Sequence, residues 1–371
     1  MSNTSDSNDD LNYDNMWVLK TENMIEDLSW YWWWWIFFIK NPENPNRPKQ
    51  LMILWSTKYT DYIKVNDKKW GVSQIPTWNG DKLEFDGMTA GWFFDGNNMH
   101  DPIVLDDMDF EVKHDGKEGE LRPKTEDKDY RFYGSPDNYF VNIKDEDNDF
   151  ELKLTPWNHY LQKHRYNESQ YFKDYSYNIM KIYGMKLNGT IDNNPVEGSG
   201  YFQRVQVNAP ATPWYWGIVH SEKGSFIHYF NPFIGPQMFR SKKKSSSWLD
   251  WGDLRLSRSI RFYHRQTDRE FNFSTGDIKV TRQNNDGLPR FLIKGDDRHK
   301  EIYIKLSAYS RAYWRFQQKH KLLRNNIFYY NEYPANLVDF KFRLKDNSLT
   351  VDKSDLGRTY SNFEHSWGKL F

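Results

Sequence analysis

The sequence contains no cysteine, which removes disulfides, thiol nucleophiles and thiolate metal sites together. It has no excess charge of either sign: 51 Lys and Arg balance 51 Asp and Glu. Such a chain feels no global pull toward nucleic acid or an anionic membrane, and either partner would need a local patch. Phosphate-binding loops, dinucleotide fingerprints, Gly-x-Ser-x-Gly elbows and zinc spacings are missing too. Phosphoryl transfer, redox-cofactor and serine-hydrolase readings therefore have no support, and no cofactor is expected. The opening "MSNTSDSNDDLNYDN" is polar and acidic, with neither a basic nor an apolar segment of a leader. It reads as part of a disordered tail over residues 1–22, and the expected compartment is cytoplasmic. No apolar run reaches the roughly 20 residues a spanning helix needs. The longest is ten, at 30–39, so no membrane span is expected.

What the sequence has instead is rings. Trp, Tyr and Phe make up 18% of the chain while the hydrophobic fraction is only 38%, so the apolar material is concentrated in aromatics. Rings favour strands and line sites for flat or apolar ligands. Short aromatic runs such as "DKLEFDG", "GWFFDG", "RFLIKG" and "EIYIKLSAY" recur between Gly, Asn, Asp and Pro turns, which is an all-β pattern. Helical periodicity is rare, with 157–172 and 312–325 the best candidates, and the second reads equally well as a long strand.

Two hairpins look alike. "SWYWWWWIFFIK" (29–40) leads through a polar turn into "QLMILW", and "PWYWGIVHS" (213–221) leads through a turn into "SFIHYF". They stand one domain's length apart, and "NGTIDNNPVEGSG" (188–200) between them is turn-rich. The expectation is two β-domains, 23–196 and 197–371, each an antiparallel barrel of about eight strands, packed together. On the opening strand, alternation sends Trp30, Trp32 and Trp34 to one face and Tyr31, Trp33 and Trp35 to the other. A strand aromatic on both faces needs two apolar partners: a cavity on one side and a neighbouring domain on the other.

Those same motifs resemble a known family, the double-lipocalin proteins that include carotenoid hydratases (hydroxyneurosporene synthases), tocopherol cyclase relatives and some fungal cyclases. "SWYWWWW" resembles that family's first strand, "GSGYFQR" (198–204) its Gly-x-Gly-Tyr junction, and "PWYWG" (213–217) its Trp-x-Trp strand. "GRTYSNFEHSW" (357–367) resembles its last strand. The chain departs from the hydratase pattern after Gly-Tyr, where "FQRVQV" replaces an acidic-His-Asn-Trp-Gly stretch; "FEHSWG" (363–368) appears at the C-terminus instead. The resemblance implies two lipocalin-like barrels binding a hydrophobic, isoprenoid- or lipid-like small molecule. It also implies hydration, isomerisation or cyclisation of a C=C bond by a buried carboxylic acid.

Glu364 is the expected acid, because an apolar cavity keeps a carboxyl protonated and rings stabilise a carbocation. His365 points to the other strand face, as an orienting or surface group, with Trp367 beside it. Tyr201 and Gln203 could aim a hydroxyl and an amide into the second barrel, and Asp95 stands in an aromatic cluster at a turn. Trp30, Trp32, Trp34, Trp214 and Trp216 are the expected ligand-contacting rings. His220 and His228 flank a turn on one face, yet no third ligand accompanies them, so no metal is expected. Arg255, Arg261 and Arg265, with Lys242, Lys243 and Lys244, form the one basic patch. Acids dilute it, so it reads as a charged edge strand and no nucleic-acid partner is expected. A non-catalytic lipid or pigment carrier, and a carbohydrate-binding or carbohydrate-cleaving β-sandwich, are the competing readings.

Overall fold

The computed structural model describes residues 16–70, 75–158, 165–171, 175–234, 254–255, 258–285, 287–318 and 326–368. Almost all of the ordered elements are antiparallel strands, as the ring-and-turn pattern predicts. Residues 157–158 are not helical, Arg165–Tyr171 is a strand, and Ala312–Gln318 is a strand as well. The helical reading of both segments is thus corrected: these ring-containing stretches pair with neighbouring strands.

The first sheet closes on itself. Ten strands follow one another from Tyr175–Ile191 through Asn194–Asn208, Ser29–Ile39 and Lys49–Lys58 round to Asp149–Pro156, which pairs back onto Tyr175–Ile191. The barrel therefore has ten strands rather than about eight. Its last hairpin turns at Asp192 and Asn193, both at positive φ (50° and 61°), the conformation that a two-residue type I′ turn demands. The stretch 188–200, read as an inter-domain link, is this hairpin. A boundary at 196/197 falls inside the strand Asn194–Asn208, and the next strand, Trp214–Ser221, belongs to the second sheet.

The second sheet runs from Arg269–Ser274 through Ser259–His264, Phe226–Ile234, Trp214–Ser221, Thr359–Gly368 and Asn326–Leu344 to Ile278–Asn285. No pairing joins its two ends among the described residues. Two short strands from the first half extend this sheet: Ile63–Val65 pairs with Ala312–Gln318, and Lys68–Trp70 pairs with Ile63–Val65. The two halves are consequently stitched as well as stacked.

Three apolar layers result. The barrel interior takes Tyr31, Trp33, Trp35, Phe37 and Ile39, the odd side of the opening strand. The even side, Trp34, Ile36 and Phe38, with Trp30 and Trp32 at its rim, packs in a second layer between the barrel and the second sheet. A third layer lies under the far face of the second sheet. Met16, Trp17 and Leu19, within the stretch expected to be a polar tail, are buried in the barrel. Trp17 stacks on Phe132 at 4.7 Å, and a Cβ at Gly119 would stand 2.1 Å from the Trp17 ring, so glycine there admits the indole. Three apolar side chains in a polar stretch thus find burial that composition alone does not suggest.

Candidate active site

The middle layer carries the unusual chemistry, and strand pairing explains how. In the second sheet, Glu332 stands directly opposite Glu364, Glu364 opposite Trp216, and Trp216 opposite Phe230. Side chains directly opposite one another in antiparallel strands share a face. These four residues therefore form one row across the sheet, aimed at the barrel.

Glu364 is fully enclosed, 2% exposed. The Trp214 indole Nε1–H donates to its Oε2 at 2.6 Å, and the Tyr330 hydroxyl donates to its Oε1 at 2.7 Å. Burial pushes its carboxyl up to about 7 in spite of those two donors. Glu332 is also fully buried, and neither of its oxygens has a partner in hydrogen-bond geometry. The Tyr330 hydroxyl and the Trp92 indole lie near enough only to moderate its ionisation. Burial first, and then the charge of Glu364, hold Glu332 well above the ordinary carboxylate range. Two facing buried carboxyls cannot both ionise at neutral pH, so the pair retains a proton. Donors surround Glu364 and favour its carboxylate form, which leaves the proton on Glu332.

A third acid closes this end. Asp101, on the barrel strand Met99–His114, accepts the Tyr313 backbone N–H at 2.5 Å through Oδ2, while Oδ1 has no partner. Burial lifts its carboxyl to about 6 against the pull of Arg311. Beside the acids lies a small apolar cavity of about 20 Å³, room for roughly one water, lined by Trp30, Met52, Trp70, Trp314, Phe316 and Tyr330 among others. Tyr330 both lines the cavity and touches Glu364, so it connects the two. The indole N–H groups of Trp70 and Trp314 at that cavity donate to nothing, which is rare for buried donors.

The structure brings many of the sequence-derived residues into this layer. Trp34 lies edge-on to Trp216 at 5.2 Å, so the two Trp-Tyr-Trp hairpins meet there. Tyr201 packs on Trp34 and Trp216 and donates to Gln203 Oε1 at 3.1 Å. Trp30 lines the cavity and its Nε1–H is held by Ser56 Oγ at 2.6 Å; Trp32 packs edge-on to it at 5.6 Å. His228 Nε2 accepts the Trp216 indole N–H at 3.0 Å. His220 is clamped between Ser199 Oγ and the Tyr183 carbonyl, both at 2.8 Å. Burial pushes its ring down to about 3, so it is a neutral strut between barrel and sheet.

Other residues lie elsewhere. Asp95 caps an exposed turn, accepting the Asn97 and Asn98 backbone N–H groups and facing His100. Slight burial raises its carboxyl, but those partners outweigh it and bring it down to about 2, the opposite of an acid catalyst. His365 is neither a surface nor an orienting group. It is buried in the third layer, stacked on Tyr215 at 4.7 Å, with Trp367 tilted against it at 5.1 Å. The strand carrying Arg261 is no edge, being paired on both sides, and Arg261 binds Glu270 at 2.6 Å. Lys242, Lys243 and Lys244 fall outside the described residues. Among the described residues no three potential metal ligands cluster.

Sequence reading missed Glu332, Tyr330 and Asp101. The string "FYYNEYP" (328–334) held the one available signal, a carboxylate two residues from a tyrosine on a ring-rich strand. Its register against Glu364 is set by tertiary pairing.

No protein-family profile matches the chain, and no curated protein does. Among solved structures it is similar to an AttH-like protein from Nitrosomonas europaea, at 10% identity and a TM-score of 0.49, over 95% of this chain and 97% of that one. It is similar to kievitone hydratase from Nectria haematococca at 11% identity and a TM-score of 0.41, over 91% and 88% of the two chains. The protein CghA gives 8% identity and a TM-score of 0.49 over 92% and 88%. At these identities the likeness is one of chain path.

Proposed function

We propose that the layer between barrel and second sheet is an acid site acting on an apolar, unsaturated small molecule of isoprenoid or lipid type. The observation that carries this reading is the facing pair Glu332 and Glu364, both buried among rings. Glu332 is the proton donor and becomes a carboxylate as its O–H bond breaks and the new C–H bond forms. Glu364, fixed by Trp214 and Tyr330, is the standing carboxylate whose charge faces the resulting cation. Protonation of a C=C bond makes a carbocation at the other alkene carbon, and ring faces such as those of Trp314 and Tyr330 lower its energy. Loss of a proton, capture by water or attack by the substrate's own double bond then gives isomerisation, hydration or cyclisation. The cavity's present size means that a ligand enters only when the rim rings Trp30 and Trp32 shift, which partial exposure allows.

Incubation with prenyl alkenes in deuterated water tests this. Product carrying deuterium on carbon, lost in Glu332→Gln, is the expected result. Tight binding with no labelled product would leave a carrier and overturn the acid chemistry. Binding of soluble oligosaccharides alone would favour the sugar-site reading instead.

A further inference from the structure

The acid pair occupies one end of the cross-sheet row, and the other end holds a cation without an anion. Lys181, on the barrel strand Tyr175–Ile191, is only 7% exposed. Its Nζ lies 5.7 Å from the ring centre of Phe230, the last residue of the row, and among the described residues no acceptor binds it. The charged groups that act on this end are Arg261, whose guanidinium sits over Tyr183 at 5.6 Å, and its partner Glu270. Arg261 is therefore compensated, and Lys181 is not. A buried ammonium with no counter-charge is costly to keep unless something pairs with it.

His228 supplies the second observation. It is fully buried one row along, and its Nε2 accepts from Trp216, so the neutral ring carries its proton on Nδ1. That Nδ1 has no partner either. Burial first, and then the charges of Lys181 and Arg261, push the His228 ring toward its neutral form, which puts the lysine within electrostatic reach of it. Two buried donors of hydrogen bonds, one of them cationic, thus lack acceptors at the same end of the layer.

We infer that this end is the seat of an anionic headgroup, bound by the Lys181 ammonium and the His228 Nδ1–H. The substrate of the proposed acid site is then an amphiphile. Its anion lies about two strand spacings from Glu364, roughly 10 Å, with the apolar body lying over Trp216 between them. Carboxylate and phosphate monoester satisfy the same two donors. Burial lowers the Lys181 amine to about 7, and a bound anion would raise it again.

The inference rests on the proposed function, and one experiment separates their failures. Intrinsic tryptophan fluorescence is titrated with dodecanoate, dodecyl phosphate and dodecanol, against the wild type and Lys181→Met. The expected result is that one or both anions bind the wild type at least about tenfold more tightly than the alcohol, the worth of one charge-assisted hydrogen bond. Which anion gains identifies the headgroup. In Lys181→Met the preference should collapse while dodecanol binds as before, and that retained binding shows the layer intact. Equal binding of all three by the wild type overturns the headgroup site, needs no variant, and leaves the apolar site standing. A preference that survives in Lys181→Met also overturns it, since the anion is then held elsewhere. No binding of any of the three overturns both readings.

Discussion

The opening strand puts indoles into two different environments, and the contrast between them separates structure from chemistry. Inside the barrel, Trp33 stacks on Phe85 at 5.8 Å and Trp35 packs on Phe202 at 4.7 Å. The barrel's buried cation, Arg204, is held by Asn178 and by Gln206 at 2.7 Å. One residue along the same strand, Trp34 faces a layer that also encloses Glu332, Glu364, Asp101 and Lys181, several of whose polar atoms have no partner. A layer that served only to join two sheets would be more stable if it were apolar, because unpaired buried polar groups cost about 1–3 kcal/mol each. The barrel interior is therefore a packed core, whereas the inter-sheet layer holds unpaired polar groups that packing alone does not call for.

The largest effect should come from breaking the structural side. Trp33→Ala removes an indole that donates to the Met16 carbonyl at 2.7 Å and empties the barrel's centre. It should cost about 3–5 kcal/mol in a urea or thermal melt, as large-to-small core changes do. Glu364→Gln breaks the other side. It should lower turnover roughly a hundredfold, about 2.7 kcal/mol in the barrier, with ligand affinity nearly unchanged and only a modest change in melting. Equal stability losses for the two variants would erase the contrast.

The acid layer should also show itself in pH dependence. Glu364 at about 7 and Glu332 well above its ordinary value both bind protons more tightly when folded. Their contribution is fully present below the unfolded value of roughly 4.3 and is lost as pH rises through 7. Between pH 5 and 7 the wild type should lose up to about 1.4 kcal/mol of stability per pH unit relative to Glu364→Gln. Parallel stability curves would mean that Glu364 does not bind its proton more tightly in the folded state. The smallest effect belongs to Asp95→Asn, which keeps one acceptor for an exposed turn. Stability should move by only about 0.5 kcal/mol and turnover not at all. A large loss of turnover there would put an acid outside the layer.

Much of this was legible in the residues themselves. Ring-rich runs between turn residues specify strands; the two similar hairpins specify two sheets; alternation along "WYWWWW" specifies that its rings serve two partners. Glu364, alone in an aromatic last strand, stands out as a candidate carboxyl from sequence, but its facing partner Glu332, to which the proposed donor role passes, does not. Asp95 looked similar on the same grounds, a carboxylate in a ring cluster, and was a turn cap, because local composition does not distinguish a loop tip from a buried layer.

What the sequence by itself determined is therefore short-range: strand identity, the face each residue takes, and the chemistry of each side chain. Tertiary structure decided which faces meet. Barrel closure at ten strands turned 188–200 from a link into a hairpin and drew Met16, Trp17 and Leu19 inside. Strand register set Glu332 against Glu364 in one row with Trp216 and Phe230, and the Phe230 ring at the end of that row lies against Lys181 of a barrel strand. A carboxyl's proton affinity depends on burial and on the charge facing it, and both come from residues distant in the chain.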